Sequence, residues 1–412
     1  MLNQKTILFF IIEAGLAHIT RSLSIAEKLS HKGHKVLFAL AKNKQYLVRS
    51  KNIQIINIGE FFGDDQLFDK IKNPRYLYPI ILEELAILKK YQPDLAVIDV
   101  RLTAIVSCKK LKIPIAFVLN SDALLSQIYI PDFGLLPFPQ RFMEPLFQKL
   151  IWNFKSKYFT TLIETAKMIN LKLTMDDFRK MTFIVPEPPG YLPPKDHSDN
   201  THYVGPIWWN GFKNDSPAWL KSIKPNGRTI YLTFGGTGYD PKKLIELSYQ
   251  LVEKGYRVIV SASNIVDPKK FKNLKNLYVE KFLPGFKVCQ RVDLVICHGG
   301  IGTLLQALSA AKPVVVVPFN PDQYIHGFRF QELGLGRCVI NTSIMGITKL
   351  DWQYFQDLGK SMPIDKVIRA VDNMLANKDG FQAALKKYQK KFSGDGSLNA
   401  ANVIESMLKL GS

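Results

Sequence analysis

Cysteine is scarce in this chain, with four residues in 412, and none lies in a C-x-x-C. Cys108, Cys289, Cys297 and Cys338 are scattered apart from one near pair. That spacing argues against a zinc site or a disulfide framework and fits a reducing cytosol. Acidic residues are also few: 35 Asp and Glu stand against 55 Lys and Arg, a net charge of +20. A lysine-rich surface that favours solubility accounts for such an excess. Sharper readings are an anionic membrane, nucleic acid or an acidic substrate. Zinc-finger spacing, an aromatic RNP pattern and basic heptads are all missing, which argues against nucleic acid. Long apolar runs are missing too. "TILFFII" (6–12) is too short to span a bilayer, is followed by Glu13, His18 and Arg21, and lacks a small-residue cleavage pattern. It reads as a buried first strand rather than a signal or an anchor.

What is present is the composition of a soluble globular protein, 47% hydrophobic and 22% charged, with length for two domains. "SLSIAEKLSHKG" places Leu23, Ile25, Ala26 and Leu29 on one helix face and stops at Gly33. "KVLFAL", "DLAVIDV", "IPIAFVL" and "FIVPE" read as further strands. Strands that are apolar throughout and separated by helices imply parallel sheets covered on both faces. Residues 204–228 break the rhythm with prolines, glycines and asparagines. It then restarts with "TIYLTF", "RVIVSAS", "LYVEKF", "DLVICH" and "PVVVVP". The expected class is therefore α/β, with two doubly wound domains at 1–210 and 211–390. A final helix within 391–412 has room to pack back across the junction.

Ligands of open parallel sheets sit beyond the carboxyl ends of the strands. Gly15 to His18, Asp99, Gly235 to Thr237 and His298 all follow strands. "HGGIGT" (298–303) opens a strand-to-helix turn in which glycines admit a phosphate to backbone N–H groups and the helix start favours negative charge. Its plain alternative is a tight turn that allows close helix–strand packing. "FNPDQ" puts Asp322 and Gln323 beyond the next strand, an acid and an amide suited to vicinal sugar hydroxyls. Alternatively, Asp322 caps the helix that begins near "QYIHGFRF". His31 and His34 read as a polar helix end and loop rather than as a metal site.

With these motifs in order, the chain resembles the UDP-glycosyltransferase family of bacterial type, inverting enzymes of GT-B fold. The resemblance rests on "DLVICHGGIGTLLQALSAAKPVVVVPFNPDQYIHGFRFQELGLG" (293–336). It is supported by "GLAHITRSLSIAEKLSHKGHKVLF", "YVGPI" and "LTFGGTG". It implies two Rossmann-like domains facing each other across a cleft, the first for the acceptor and the second for a UDP-sugar. That sugar is a co-substrate, with no cofactor and no metal. By the same resemblance, His298, Gly299, Gly300, Gly302 and Thr303 hold the diphosphate, and Gly236 and Thr237 form a second phosphate loop. Phe282 and Leu283 pack on the uracil, and Asp322 with Gln323 reads the hexose. Gln306 stands where the family usually has a ribose-binding glutamate, so the charge-assisted part of that bond is lost. With His298 and Gln306 at the positions where retaining relatives carry a glutamate pair, inversion is the implied course.

His18 resembles the family's catalytic base and Asp99 the aspartate that orients it, a pairing suited to general-base chemistry near neutral pH. The plain alternatives are a helix-start histidine that binds nothing and an aspartate that caps the next helix. Arg21 stands where many members have proline, a mark of a subgroup. In the least familiar region, "FMEPLFQKLIWNFKSKYF" (142–159) carries Met143, Phe147, Leu150, Ile151, Phe154 and Tyr158 on one stripe. Lys149, Lys155 and Lys157 border it. This is either a core helix with a basic outer face or an interfacial helix for anionic lipid. The second reading implies a lipid-linked or lipophilic hydroxyl acceptor and a cytoplasmic protein at the inner membrane surface. A UDP-sugar epimerase of the same fold and a non-catalytic sugar-nucleotide-binding subunit are the rivals. A dehydrogenase reading of "GGIGT" is weaker, because no G-x-G-x-x-G follows the first strand.

Overall fold

The computed structural model describes residues 4–13, 16–60, 71–124, 159–192, 200–209, 216–235, 240–340 and 361–410. These form two compact units. Described residues up to Trp209, with those from Gly394 onward, make the first, and those from Ser216 to Ser393 make the second.

In the first unit, seven strands run in the order β3-β2-β1-β4-β5-β6-β7. They are β1 (Thr6–Ile11), β2 (Lys35–Leu40), β3 (Ile53–Asn57), β4 (Leu95–Asp99), β5 (Ile115–Val118), β6 (Thr182–Val185) and β7 (Thr201–Tyr203), each parallel to its neighbours. Successive side chains of a strand point to opposite faces. Leu8 and Phe10 of β1 therefore join one core, with α2 (Pro74–Tyr91) and α3 (Thr103–Lys110), while Ile7, Phe9 and Ile11 join the other, with α1 (Leu16–His31). Burial on both faces is why these strands read as unbroken apolar runs. Between α2 and α3 lies a buried ionic cluster. Glu84 accepts from Arg101 Nε at 2.7 Å, from Thr103 Oγ1 at 2.7 Å and from Ser107 Oγ at 2.8 Å.

The second unit repeats the plan with six parallel strands in the order β10-β9-β8-β11-β12-β13. These are β8 (Thr229–Thr233), β9 (Arg257–Ser261), β10 (Leu277–Glu280), β11 (Leu294–Cys297), β12 (Val314–Val316) and β13 (Gly336–Cys338). Its helices are α4 (Pro241–Glu253), α5 (Gly285–Cys289), α6 (Ile301–Ser309), α7 (Pro321–Glu332), α8 (Ile364–Ala376) and α9 (Asp379–Lys391).

The last helix, α10 (Gly396–Leu410), belongs to the first unit. Its Ala400, Ala401 and Ile404 share the core that α1 lines with Ile19, Leu23 and Ala26. Lys28–Asp395 at 2.7 Å and Lys32–Glu405 at 2.6 Å flank that contact. His31 ends α1, and His34, in the loop beyond, approaches Glu405 at 3.3 Å.

Three strands lie outside the sequence-based reading: β3, β7 and β13. All three are sheet edges. An edge strand is half exposed and carries polar residues, so the apolar signal that marks β1 or β11 is absent. In β13 the signal is weaker still. It begins with Gly336, where a Cβ would collide with the Val314 backbone of β12.

Candidate active site

Each sheet has one place where strand order reverses, between β1 and β4 in the first unit and between β8 and β11 in the second. Ligand-binding residues of doubly wound sheets gather at the carboxyl ends of the strands there. The register sets Ile11 beside Asp99 and Thr233 beside Cys297, so the residues following these pairs are brought together by the sheets themselves.

At the first of these ends, β1 turns into α1, whose first two turns carry His18 and Arg21. Residues three apart share a helix face, and both side chains reach Asp99, the last residue of β4. His18 Nδ1 lies 2.7 Å from Asp99 Oδ1. Arg21 grips the same carboxylate with two nitrogens, Nε to Oδ2 at 2.6 Å and a terminal nitrogen to Oδ1 at 2.5 Å. Its other terminal nitrogen donates to Asn120 Oδ1, beyond β5, at 2.6 Å. Ser22 Oγ completes the set at 2.9 Å from Oδ2.

Asp99 is fully buried, whereas the His18 side chain is 25% exposed. Burial by itself would raise the Asp99 carboxyl, but the charges of Arg21 and His18 and their hydrogen bonds prevail and lower it to about 2. Asp99 is therefore a carboxylate across the working pH range. The next residue, Val100, sits at φ +55. A β-branched side chain avoids that region at a cost of about 1–3 kcal/mol, a strain typical of functional sites.

Neither plain alternative survives in this unit. His18 is bonded to Asp99, and Asp99 spends its oxygens on α1 and does not cap α3, whose N-cap is Leu102. Sequence reasoning had no role for Ser22 and Asn120, and noted Arg21 only as a departure. The i, i+3 spacing of His18 and Arg21 was the available signal.

In the second unit the glycines divide by cause. A Cβ on Gly235 would stand 2.9 Å from the His298 ring, and one on Gly300 would stand 2.7 Å from it. At Gly299, with φ +96, it would meet Val316 at 2.8 Å and the Gln323 carbonyl at 2.9 Å. These three are glycine because the chain itself fills the space. Gly302 differs: among the described residues a Cβ there meets nothing within 4 Å. Gly300 caps α6 without a side-chain bond. Thr303 and Leu304 N–H groups bond the Gly300 carbonyl, while those of Ile301 and Gly302 bond no described residue. Two helix-start amides beside an open glycine suit an anion.

His298 lies beside Phe319, ring centroids 6.0 Å apart, with Nδ1 buried and unbonded among the described residues. Burial lowers its pKa to about 4, against the smaller opposing pull of the Thr233 carbonyl, so the ring is neutral at pH 7. A neutral ring has one N–H, so any bond it gives an anion is uncharged and competes with the Thr233 carbonyl for that hydrogen. Gln306 packs its amide oxygen against Gly285 at the start of α5. This sets it next to the segment holding Phe282, 41% exposed, and the half-buried Leu283. The Lys281 ammonium lies 5.8 Å from the Phe282 ring.

Asp322 is exposed in the first turn of α7 but does not cap it. The N-cap is Asn320, which accepts from Gln323 N–H at 3.4 Å. Gln323 is buried, and its amide oxygen accepts from Phe319 N–H at 3.1 Å, leaving the amide nitrogen for other partners. Gly15, Gly236, Thr237 and all of the 142–159 stretch but Phe159 lie outside the described residues.

Two doubly wound parallel domains, each gathering polar side chains at its switch point, define the GT-B class. Comparison with known proteins agrees. Residues 253–354 match the glycosyltransferase family 28 C-terminal domain. Over 401 residues the chain is 26% identical to the "PGL/p-HBAD biosynthesis rhamnosyltransferase" of Mycobacterium bovis, covering 92% of this chain and 86% of that one. It is 25% identical to the "NDP-glycosyltransferase YjiC" of Bacillus subtilis, covering 77% and 81% respectively. In fold it is similar to CalG4, the calicheamicin glycosyltransferase, with a TM-score of 0.69, 17% identity and 99% of both chains covered. The chain has the GT-B fold, and its residues 253–354 carry the C-terminal domain of glycosyltransferases.

Proposed function

We propose that the chain transfers a hexose, with inversion, from a UDP-sugar to a hydroxyl of a lipophilic or lipid-linked acceptor. The observation that carries the reading is the His18–Asp99 pair at the first switch point. With Nδ1–H held by the carboxylate, the Nε2 lone pair is free to take a proton. The acceptor hydroxyl gives up that proton as its oxygen attacks the anomeric carbon, and the bond to the diphosphate breaks. Asp99 holds the ring in one tautomer and faces the imidazolium that forms. Base catalysis of this kind contributes roughly 10²–10⁴-fold. A single displacement converts an α-linked donor into a β-glycoside.

The diphosphate leaves with negative charge, which the start of α6 favours through its first amides and dipole. Gly302 leaves room for it, and His298 gives it one uncharged hydrogen bond in place of the one shared with the Thr233 carbonyl. Phe282 offers an exposed ring to the base, and Gln306 an uncharged acceptor to the ribose. No metal is assigned a role, and transfer should persist in excess EDTA.

A second donor reading has its own support. Gln306 lacks the charge of the usual glutamate, and the relatives are named for rhamnosyl and NDP-sugar transfer. Nucleotides other than uridine and deoxyhexoses therefore belong in the donor screen. Thermal-shift comparison of uridine, thymidine and guanosine diphosphate sugars decides between them.

His18→Ala tests the central assignment. Transfer should be abolished while UDP binding stays nearly intact. Lost UDP binding with retained transfer reverses it, and interconversion of free UDP-sugars without an acceptor supports an epimerase instead. For the acceptor, the protein should sediment with anionic liposomes, less so when Lys149, Lys155 and Lys157 become glutamine. Among the described residues no helix is long and apolar enough to cross a membrane.

A further inference from the structure

We infer that Arg21 is a positioning residue that makes Asp99 an orienter of His18 more than a reservoir of negative charge. The inference rests on the reading of His18 as the base. One buried carboxylate serves a guanidinium and an imidazole, whatever role the ring plays. Arg21 takes both Asp99 oxygens, at 2.6 and 2.5 Å, and its terminal nitrogen lies 3.1 Å from His18 Nδ1. That ring nitrogen has the carboxylate nearer, at 2.7 Å, so the ring proton goes to Asp99 and the guanidinium stands beside it.

Two consequences follow from charge and shape. A lone aspartate would leave the resting dyad with a net negative charge and stabilise the imidazolium strongly. Here Arg21 has already neutralised the carboxylate, and an added proton on His18 meets a second cation close by. Arg21 therefore offsets the charge that Asp99 would otherwise bring to bear on the ring. The planar fork also fixes the carboxylate plane, because a bidentate guanidinium constrains both oxygens while an ammonium constrains neither. Asn120 secures the fork from the β5 side at 2.6 Å.

On the β5 side, Asp122 follows Asn120 and Glu187 accepts from the Ser121 N–H at 3.3 Å. On elements packed against α1, Glu13 lies beyond β1 and Lys35 at the opposite end of β2. Asp395 and Glu405 are held by Lys28 and Lys32. None of these bonds Asp99, whose carboxylate partners are Arg21, His18 and Ser22.

Arg21→Gln and Arg21→Lys separate the two effects. In R21Q the acid limb of the kcat/KM profile should move up by about one pH unit, as expected when a close charge is lost. Its plateau should fall about tenfold with donor KM unchanged. In R21K the limb should stay with the parent protein, because the charge is kept, while the plateau falls because the fork is gone. NMR of the labelled His18 ring reads the same displacement without turnover, and so stands even if His18→Ala retains activity and the base reading fails. An unmoved limb and ring titration in R21Q overturns the charge effect. An R21K plateau equal to the parent's overturns the fork. If one variant does not fold, the other still decides its half.

Discussion

Gly302→Ala separates a glycine kept for a ligand from one kept for packing. Gly302 sits at the second position of α6, and a methyl there meets no described residue within 4 Å beyond its own helix backbone and chain neighbours. Alanine should therefore stabilise the helix by up to about 1 kcal/mol, the propensity difference between the two residues. For a unit of this size that raises the melting temperature by roughly 2–4 °C. Binding should move the other way. A methyl beside the Ile301 and Gly302 amides, which bond no described residue, displaces a diphosphate from hydrogen bonds worth about 1.5–3 kcal/mol each. Loss of one such bond weakens UDP binding by about tenfold to about a hundredfold. Differential scanning fluorimetry with and without UDP, paired with isothermal titration, reads both. A lower melting temperature would falsify the open-space argument. A dissociation constant within about threefold of the parent's would remove the diphosphate from α6. The matched control is Gly300→Ala, which should lose stability because its methyl meets His298 at 2.7 Å.

Three further predictions concern stability. His298 has its folded pKa lowered from 6.5 to about 4, so the unfolded chain binds that proton more tightly. Its contribution is full above pH 6.5 and falls by up to about 3 kcal/mol as the pH drops to 4; urea melts of the second unit should show this, and His298→Gln should flatten it. Asp99, lowered from 3.8 to about 2, stabilises the fold above pH 4 by about 2 kcal/mol. That contribution vanishes as the pH falls through 2, and Asp99→Asn should remove the dependence from acid-unfolding curves. Glu84→Ala takes the carboxylate from the buried Arg101 guanidinium and should cost about 3–5 kcal/mol in denaturant melts. Glu84→Gln, which keeps acceptors for Thr103 and Ser107, should cost less.

The interior of both sheets was legible in the sequence because burial on two faces leaves an apolar run that no other element of that length produces. β1, β4, β8 and β11 appear within a residue or two of where the runs predict. The edges β3, β7 and β13 did not stand out, since an exposed edge needs polar or small residues and loses the pattern. The nearness of His18 and Asp99 was also legible from sequence. His18 and Asp99 could be named because they follow strands that a doubly wound order makes neighbours. Arg21 could not be given a role, because its value depends on reaching across 78 residues of chain to the same carboxylate.

By itself, the sequence determined which segments are buried on both sides, hence two parallel sheets, and which chemical groups stand at their carboxyl ends. These follow from local periodicity and composition, which each residue carries with it. Tertiary structure alone decided how those groups share one another. Asp99 serves Arg21, Ser22 and His18 at once, and Gln323 turns its amide oxygen to the Phe319 backbone. It also showed that Gly299 and Gly300 make room for the chain, while a Cβ at Gly302 meets no described residue beyond its own helix. Such assignments depend on distances between residues far apart in sequence, and only the packed fold fixes those.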